Sequence, residues 1–280
     1  MKSAPFLAAL FLSAPLLAEV PLAIAPTGHA TVPVHGSFGE AQFVFDTGAE
    51  GSAVYADFAD KAKLAAAGSE MLQGQTGASE VPMVTLDRIA LDGVSKDGLT
   101  AVRLDPRADG VPLAGIVGLD LFGDRTVDFD LPRKRLRLLP PGSDQGIKST
   151  PVSATPTTGK LLTIPVRIGK VTGTAVIDTG ARKTRINWSL GRLLGLDPAA
   201  LAKGDTIQGA TNNAIETVAT RVADVHLGRR ILADAPVLVA DLPVFDAFGV
   251  ADRPAIILGM DWLEGVRMVI DFPARLVWFE

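Results

Sequence analysis

The 280-residue chain reads as an all-β protein whose two lobes are copies of one duplicated unit. Three observations lead there. Short apolar runs, many β-branched and bounded by Gly, Pro or Asp, dominate the sequence at strand length. One pattern occurs twice, as Phe45-Asp46-Thr47-Gly48-Ala49 and Ile177-Asp178-Thr179-Gly180-Ala181. Each copy is answered downstream by apolar-apolar-Gly-x-Asp, once as Ile116-Val117-Gly118-Leu119-Asp120 and once as Ile257-Leu258-Gly259-Met260-Asp261.

The repeat keeps its order over most of the chain. Asp46 and Asp178 lie 132 positions apart, and the same offset carries Thr31-Val32-Pro33-Val34 onto Thr163-Ile164-Pro165-Val166. Leu72-Gln73-Gly74 corresponds to Ile207-Gln208-Gly209, and Val127-Asp128-Phe129 to Ile270-Asp271-Phe272. The offset only grows along the chain, as small loop insertions in the second copy would make it. Each copy is about 110–120 residues, an ordinary domain size. The expected plan is a leader over 1–18, an N-terminal lobe over 19–139, a linker over 140–159 and a C-terminal lobe over 160–280.

Taken in order, the leader comes first. Lys2 is followed by an apolar stretch from Ala4 to Leu17. That stretch is too short for a membrane span and has the charged-then-apolar plan of a secretory signal. Cleavage after Ala18 is expected, with a retained N-terminal anchor as the alternative. Export to the periplasm or the extracellular space follows. Strands are expected at Gln42–Phe45, Val81–Leu86, Leu161–Val166, Thr174–Ile177, Val222–Leu227 and Leu276–Phe279. Helices are expected over Ala53–Leu64 and Leu190–Leu196, one after each Asp-Thr-Gly turn, with a short helical turn at Pro198–Leu201. One or two short helices per lobe result. The Pro, Ser and Thr content between Pro140 and Gly159 marks the linker. Basic residues alternate with leucines from Arg133 to Leu138, which predicts a strand with one solvated face rather than a binding patch. Asn187-Trp188-Ser189 matches a glycosylation acceptor formally and is read as chance.

Composition excludes several classes. A net charge of −4 leaves no basic footprint for nucleic acid. The chain has no cysteine, so thiol catalysis, disulfides and a lipidated N-terminal cysteine are ruled out. His29, His35 and His226 lack metal-ligand spacing, and no Gly-x-Ser-x-Gly motif offers a serine nucleophile. No cofactor and no metal are expected.

Two aspartates on tight turns suit a different chemistry. Two carboxyls close enough to share one proton cannot both ionise. The ionised one can take a proton from water while the protonated one polarises a carbonyl. The pair titrates as a unit, which leaves the individual roles of Asp46 and Asp178 open. Gly48 and Gly180 allow a backbone that a side chain would block. Thr47 and Thr179 offer hydroxyls that can bond across to the opposite turn. Asp120, Asp261, Asp128 and Asp271 read as structural.

On these motifs the chain resembles the retropepsin-like aspartic proteases, in a tandem single-chain form found in bacterial envelopes. The resemblance covers roughly residues 28–139 and 160–280. It implies a closed β-barrel in each lobe, pseudo-two-fold symmetry between lobes, a cleft between them and a glycine-bearing flap over it. By that resemblance Asp46 and Asp178 are the catalytic pair, supported by Thr47, Gly48, Ala49, Thr179, Gly180 and Ala181. Gln73, Gly74, Gln208 and Gly209 are the candidate flap residues. The flap tyrosine of the pepsin-like branch is absent, since the one tyrosine is Tyr55. The implied partner is a polypeptide substrate, with no nucleic acid and no stable membrane span. The expected activity is that of an aspartic endopeptidase, against a non-catalytic peptide-binding module as the alternative. One chain supplies both turns, so a monomer is expected, against a homodimer.

Overall fold

A computed structural model describes residues 19–208 and 213–280. The leader over 1–18 and the flap candidate Gly209 lie outside the described residues. Among the described residues, 24 strands and five short α-helices form two β-rich lobes.

In the first lobe the strand Gly39–Phe45 runs antiparallel to Ala30–Gly36 and parallel to Gly115–Val117, with Phe45 opposite Val117. In the second, Val171–Ile177 runs antiparallel to Leu162–Ile168 and parallel to Ala255–Leu258, with Ile177 opposite Leu258. Each Asp-Thr-Gly turn therefore leaves the end of a strand whose inner face is fixed on both sides. Phe43 and Phe45 are buried completely, as are Val176 and nearly so Ile177. Register here is fixed by packing on both faces, since Phe43, Val44 and Phe45, like Val176 and Ile177, are all buried and a one-residue shift would exchange the two sets.

The lobes share a third sheet of six strands. At its centre Thr126–Asp130 of the first lobe pairs antiparallel with Arg267–Asp271 of the second, with Asp128 opposite Val269. Beneath the first turn, Phe45 stacks on Phe122 with ring centres 4.4 Å apart, and Phe122 meets Phe272 of the second lobe edge-on. One apolar core thus runs through both lobes. Asp271 accepts hydrogen bonds from the Thr126 hydroxyl at 2.9 Å and from the amides of Gly142 and Ala274.

Several expectations need correction. The helix predicted over Ala53–Leu64 begins as a strand, Ala53–Tyr55, and only Ala56–Lys61 is helical. Tertiary pairing decides this: Ala53 lies between Val102 and Ile116, and backbone bonding to two strands outweighs local helix propensity. The second predicted helix is Trp188–Leu193. The strand predicted over Val222–Leu227 breaks at Asp224, whose φ is +56°, into Ala214–Val222 and Val225–Leu227. The second lobe carries three α-helices rather than one or two, through the addition of Pro243–Ala247. The linker contains two short strands, Val152–Ser153 and Thr155–Pro156, paired to Leu276–Phe279 and Leu162–Ile168.

The basic face of Arg135–Leu139 is only partly solvated, since the Arg135 and Arg137 side chains turn to buried carboxylates. Arg135 donates to Asp130 at 3.2 Å and Arg137 to Asp128 at 3.0 Å, and both carboxylates are buried. Asn187 has a structural role. It is 1% exposed, caps the helix Trp188–Leu193 by accepting from the Leu190 amide, and donates to the Arg253 carbonyl at 2.8 Å.

Candidate active site

The two Asp-Thr-Gly turns meet back to back. The Thr47 amide donates to Thr179 Oγ1 at 3.0 Å, and the Thr179 amide donates to Thr47 Oγ1 at 3.1 Å. Each hydroxyl then donates onward, Thr47 to the Ile177 carbonyl at 2.8 Å and Thr179 to the Phe45 carbonyl at 2.6 Å. Four reciprocal hydrogen bonds, buried from water, lock the turns in one relative position. In a low-dielectric setting such a network tolerates little displacement.

Glycine follows from the same geometry. A Cβ built at Gly48 would overlap the Asp178 carboxyl, and one at Gly180 would overlap the Asp46 carboxyl. Each acid occupies the space that the opposite glycine leaves empty. Gly118 and Gly259 work one layer down. A Cβ on Gly118 would stand 2.8 Å from the Ala49 carbonyl, and one on Gly259 would stand 2.9 Å from that of Ala181. The Leu119 and Met260 amides donate to those two carbonyls at 2.9 and 2.8 Å. Asp120 and Asp261 brace the approach from the other side. Asp120 accepts from the Ser52 amide and hydroxyl at 2.7 Å each, and Asp261 from those of Thr184 at 2.8 and 2.7 Å.

Both carboxyls titrate above the usual carboxylate range. For Asp46 the rise is large; burial is its main cause and the neighbouring Asp178 carboxylate adds to it. Burial also raises Asp178, but there the Arg185 guanidinium opposes it, with help from the Ala181 amide. That amide donates to Asp178 Oδ1 at 2.8 Å, and the Gly48 amide to Asp46 Oδ1 at 2.7 Å. Burial weighs on both acids, the charge of Arg185 opposes it at Asp178, and the coupled pair titrates as a unit. Ala49 and Ala181 bring no hydroxyl to either carboxyl.

A hairpin covers the pair. Ala65–Gly74 and Gly77–Leu91 pair antiparallel, and their two-residue tip is Gln75-Thr76. Gln75 Nε2 donates to Asp178 Oδ2 at 3.1 Å. The candidate Gln73 does not reach the carboxyls; its amide is turned to the Gly74 carbonyl at 3.0 Å. Gly74 faces Gly77 across the hairpin end. Gln75 was the residue missed by sequence reasoning. Its signal was the spacing Gly74-Gln75-Thr76-Gly77, two residues between glycines, which favours a tight hairpin tip. In the second lobe Gln208 ends the strand Ala202–Gln208, which pairs with Ala214–Val222. Asn213, just before the strand Ala214–Val222, comes close to the first hairpin's tip: a Cβ at Gly77 would lie 2.9 Å from its side chain.

A two-lobed β protein with facing Asp-Thr-Gly turns under a hairpin is the architecture of an aspartyl protease. The aspartyl protease family model matches the chain twice, over residues 30–121 and 164–262. The matches cover more than half of the chain, which therefore belongs to this retropepsin-like family in a tandem, two-lobe form. No curated protein matches the chain. Among the described residues, no helix is long and apolar enough to cross a membrane.

Proposed function

We propose that the protein is an aspartic endopeptidase in which Asp46 and Asp178 activate a water against a peptide bond. The observation that carries this is the pair of acids, each filling the space of the opposite glycine and each raised by burial. The ionised acid of the pair takes a proton from water as the water oxygen attacks the scissile carbonyl carbon. The protonated acid gives its proton to the carbonyl oxygen, so that a neutral diol forms. Collapse of the diol returns a proton to the acid pair, protonates the amide nitrogen and breaks the C–N bond. The bond from Gln75 to Asp178 sets how close the hairpin comes to the reacting atoms. Digestion of unfolded casein, with and without a transition-state inhibitor of aspartic proteases, tests the reading. Binding of casein without inhibitor-sensitive cleavage would make the protein a peptide-binding module instead.

The apolar stretch after Lys2 supports action outside the cytoplasm, in the periplasm or beyond. The active unit is a monomer, because one chain supplies both turns and their reciprocal threonine bonds. Specific activity is therefore expected to stay constant across a wide dilution series. A fall on dilution that reverses on concentration would point to a homodimer.

The optimum is expected in mild acid, at about pH 4.5–6.5, where one of two coupled acids is ionised. A hydroxyl placed beside each acid would donate to the ionised form and lower the apparent pKa values. The Ala49→Ser, Ala181→Ser variant should therefore show a kcat/KM profile displaced toward acid. A profile that stays in place would remove the missing hydroxyls as a cause.

A further inference from the structure

Arg185 carries a largely buried charge that acts on Asp178 from a distance but forms no hydrogen bond to the turns or the hairpin. It lies in the strand Arg185–Ile186, opposite Ile257 on one side and Leu238 on the other. Residues directly opposite in a sheet point to the same face. Ile257 shares a buried cluster with Ala181 of the Asp178 turn and Ile207 of the second hairpin, which places that face between the turn and the hairpin. The neighbours of Arg185 point the other way. Thr184 bonds Asp261 and receives the Gly259 amide at 3.0 Å, and Ile186 is buried completely in the main core.

The guanidinium is short of partners. Its Nε and Nη1 are buried and, among the described residues, have no hydrogen-bond acceptor. The nearby acids are taken: Asp261 by Thr184, and Asp205 by Lys183 at 2.7 Å. Asp178 attracts Arg185 through its charge and makes no hydrogen bond to it. Burial lowers the Arg185 pKa, and the like charge of Arg182 adds to this. A desolvated cation with open N–H groups is costly to the free protein, and a carboxylate accepting two parallel N–H bonds offsets that cost.

The first lobe has no equivalent. At the same offset from Asp46 stands Ala53, buried in a small apolar cluster with Tyr55 and against Leu72 of the first hairpin. One wall of the cleft presents a methyl group and the other an unsatisfied guanidinium. Arginine's planar fork matches a carboxylate in geometry as well as charge.

We propose that Arg185 is a specificity-determining residue that receives an aspartate or glutamate side chain of the substrate, held against the second lobe close to the scissile bond. This rests on the peptidase reading above. The probes are internally quenched peptides blocked at both ends, so that no terminal carboxylate competes, with Glu, Gln or Lys placed at one position at a time. At one position the wild type should cleave the Glu peptide with kcat/KM about 10–100-fold above its Gln counterpart, the scale of a charge-assisted hydrogen bond. In Arg185→Met the Glu-to-Gln ratio should fall to about one, whatever the absolute rate, and Arg185→Glu should turn the preference toward Lys. A wild-type ratio near one at every position would overturn the proposal without recourse to any variant. So would a Glu preference that persists in Arg185→Met. The same peptides, dye-labelled, are titrated against Asp46→Asn by fluorescence anisotropy. If the wild type cleaves nothing but Asp46→Asn binds Glu over Gln in an Arg185-dependent way, the peptidase reading fails and this one stands. Equal affinities there would overturn this one.

Discussion

Asparagine at either Asp46 or Asp178 is expected to lower kcat by about 10⁴-fold or more, and the double replacement to be little worse than either single one. The reason is that the two acids share one proton and work as one group. Asn cannot ionise to accept a proton from water, and it cannot pass one to a carbonyl oxygen. Whichever acid is lost, the cycle stops at the same step. The fold should survive, because the oxygen of Asn can still accept the Gly48 amide, now 2.7 Å from Asp46, or the Ala181 amide, 2.8 Å from Asp178. Circular dichroism should therefore show native spectra for all variants. The decisive comparison is kcat/KM on one quenched peptide for wild type, both single variants and the double variant. Substantial turnover in either single variant, or losses that multiply, would end the pairing.

The second large effect is on stability and lies far from the cleft. Arg267 of the second lobe donates to Asp128 of the first through Nε at 2.9 Å and Nη2 at 3.1 Å. Arg137 reaches the same carboxylate from the neighbouring strand, and Asp128 has no exposed surface. Burial would raise the Asp128 carboxyl, but the hydrogen bonds from Arg267 and Arg137 hold it below the usual carboxylate range. Arg267→Met leaves a buried carboxylate with one partner where it had two. Loss of about 3–5 kcal/mol is expected, as for other broken buried pairs. Removing Lys203 from Glu216 is the contrast. Both side chains there are largely exposed, at 74% and 62%, and no measurable loss is expected. Urea denaturation of the two variants and wild type makes the comparison. A loss under about 1 kcal/mol for Arg267→Met would show that this ion pair adds little to the strand pairing and apolar packing that join the lobes.

The sign of the pH effect follows from the same carboxylate. Asp128 has a folded pKa below its unfolded one, so its contribution is fully present above the ordinary carboxylate range. It is lost as pH falls through the lowered folded value. Acid unfolding of the wild type should draw on this, and Asp128→Asn should lessen that part of the acid dependence. The acids in the cleft act oppositely, since theirs are raised: they favour the folded chain in acid and oppose it as pH rises through their folded values.

The duplicated motifs were legible because the features they encode are local. An apolar strand, a turn demanding glycine and a second glycine beneath it require particular residues at particular spacings, and these recur in the same order in both halves. That determined the family, the two lobes and the two acids as candidates. Strand content was legible for the same reason, since alternation and β-branching are read within a few residues. What the tertiary structure alone decided involves residues brought together from far apart in the chain. Ala53–Tyr55 became a strand because Val102 and Ile116 offer partners on both sides. Arg135 and Arg137 turn partly out of water because buried Asp130 and Asp128 stand opposite them. Gln75 reaches Asp178 because a two-residue hairpin tip folds over a turn 103 positions away. Arg185 is left without an acceptor because Thr184 and Lys183 take the acids around it. The sequence names the groups that can do chemistry by local spacing, while their charge, their partners and their access to a substrate depend on which distant side chains fold against them.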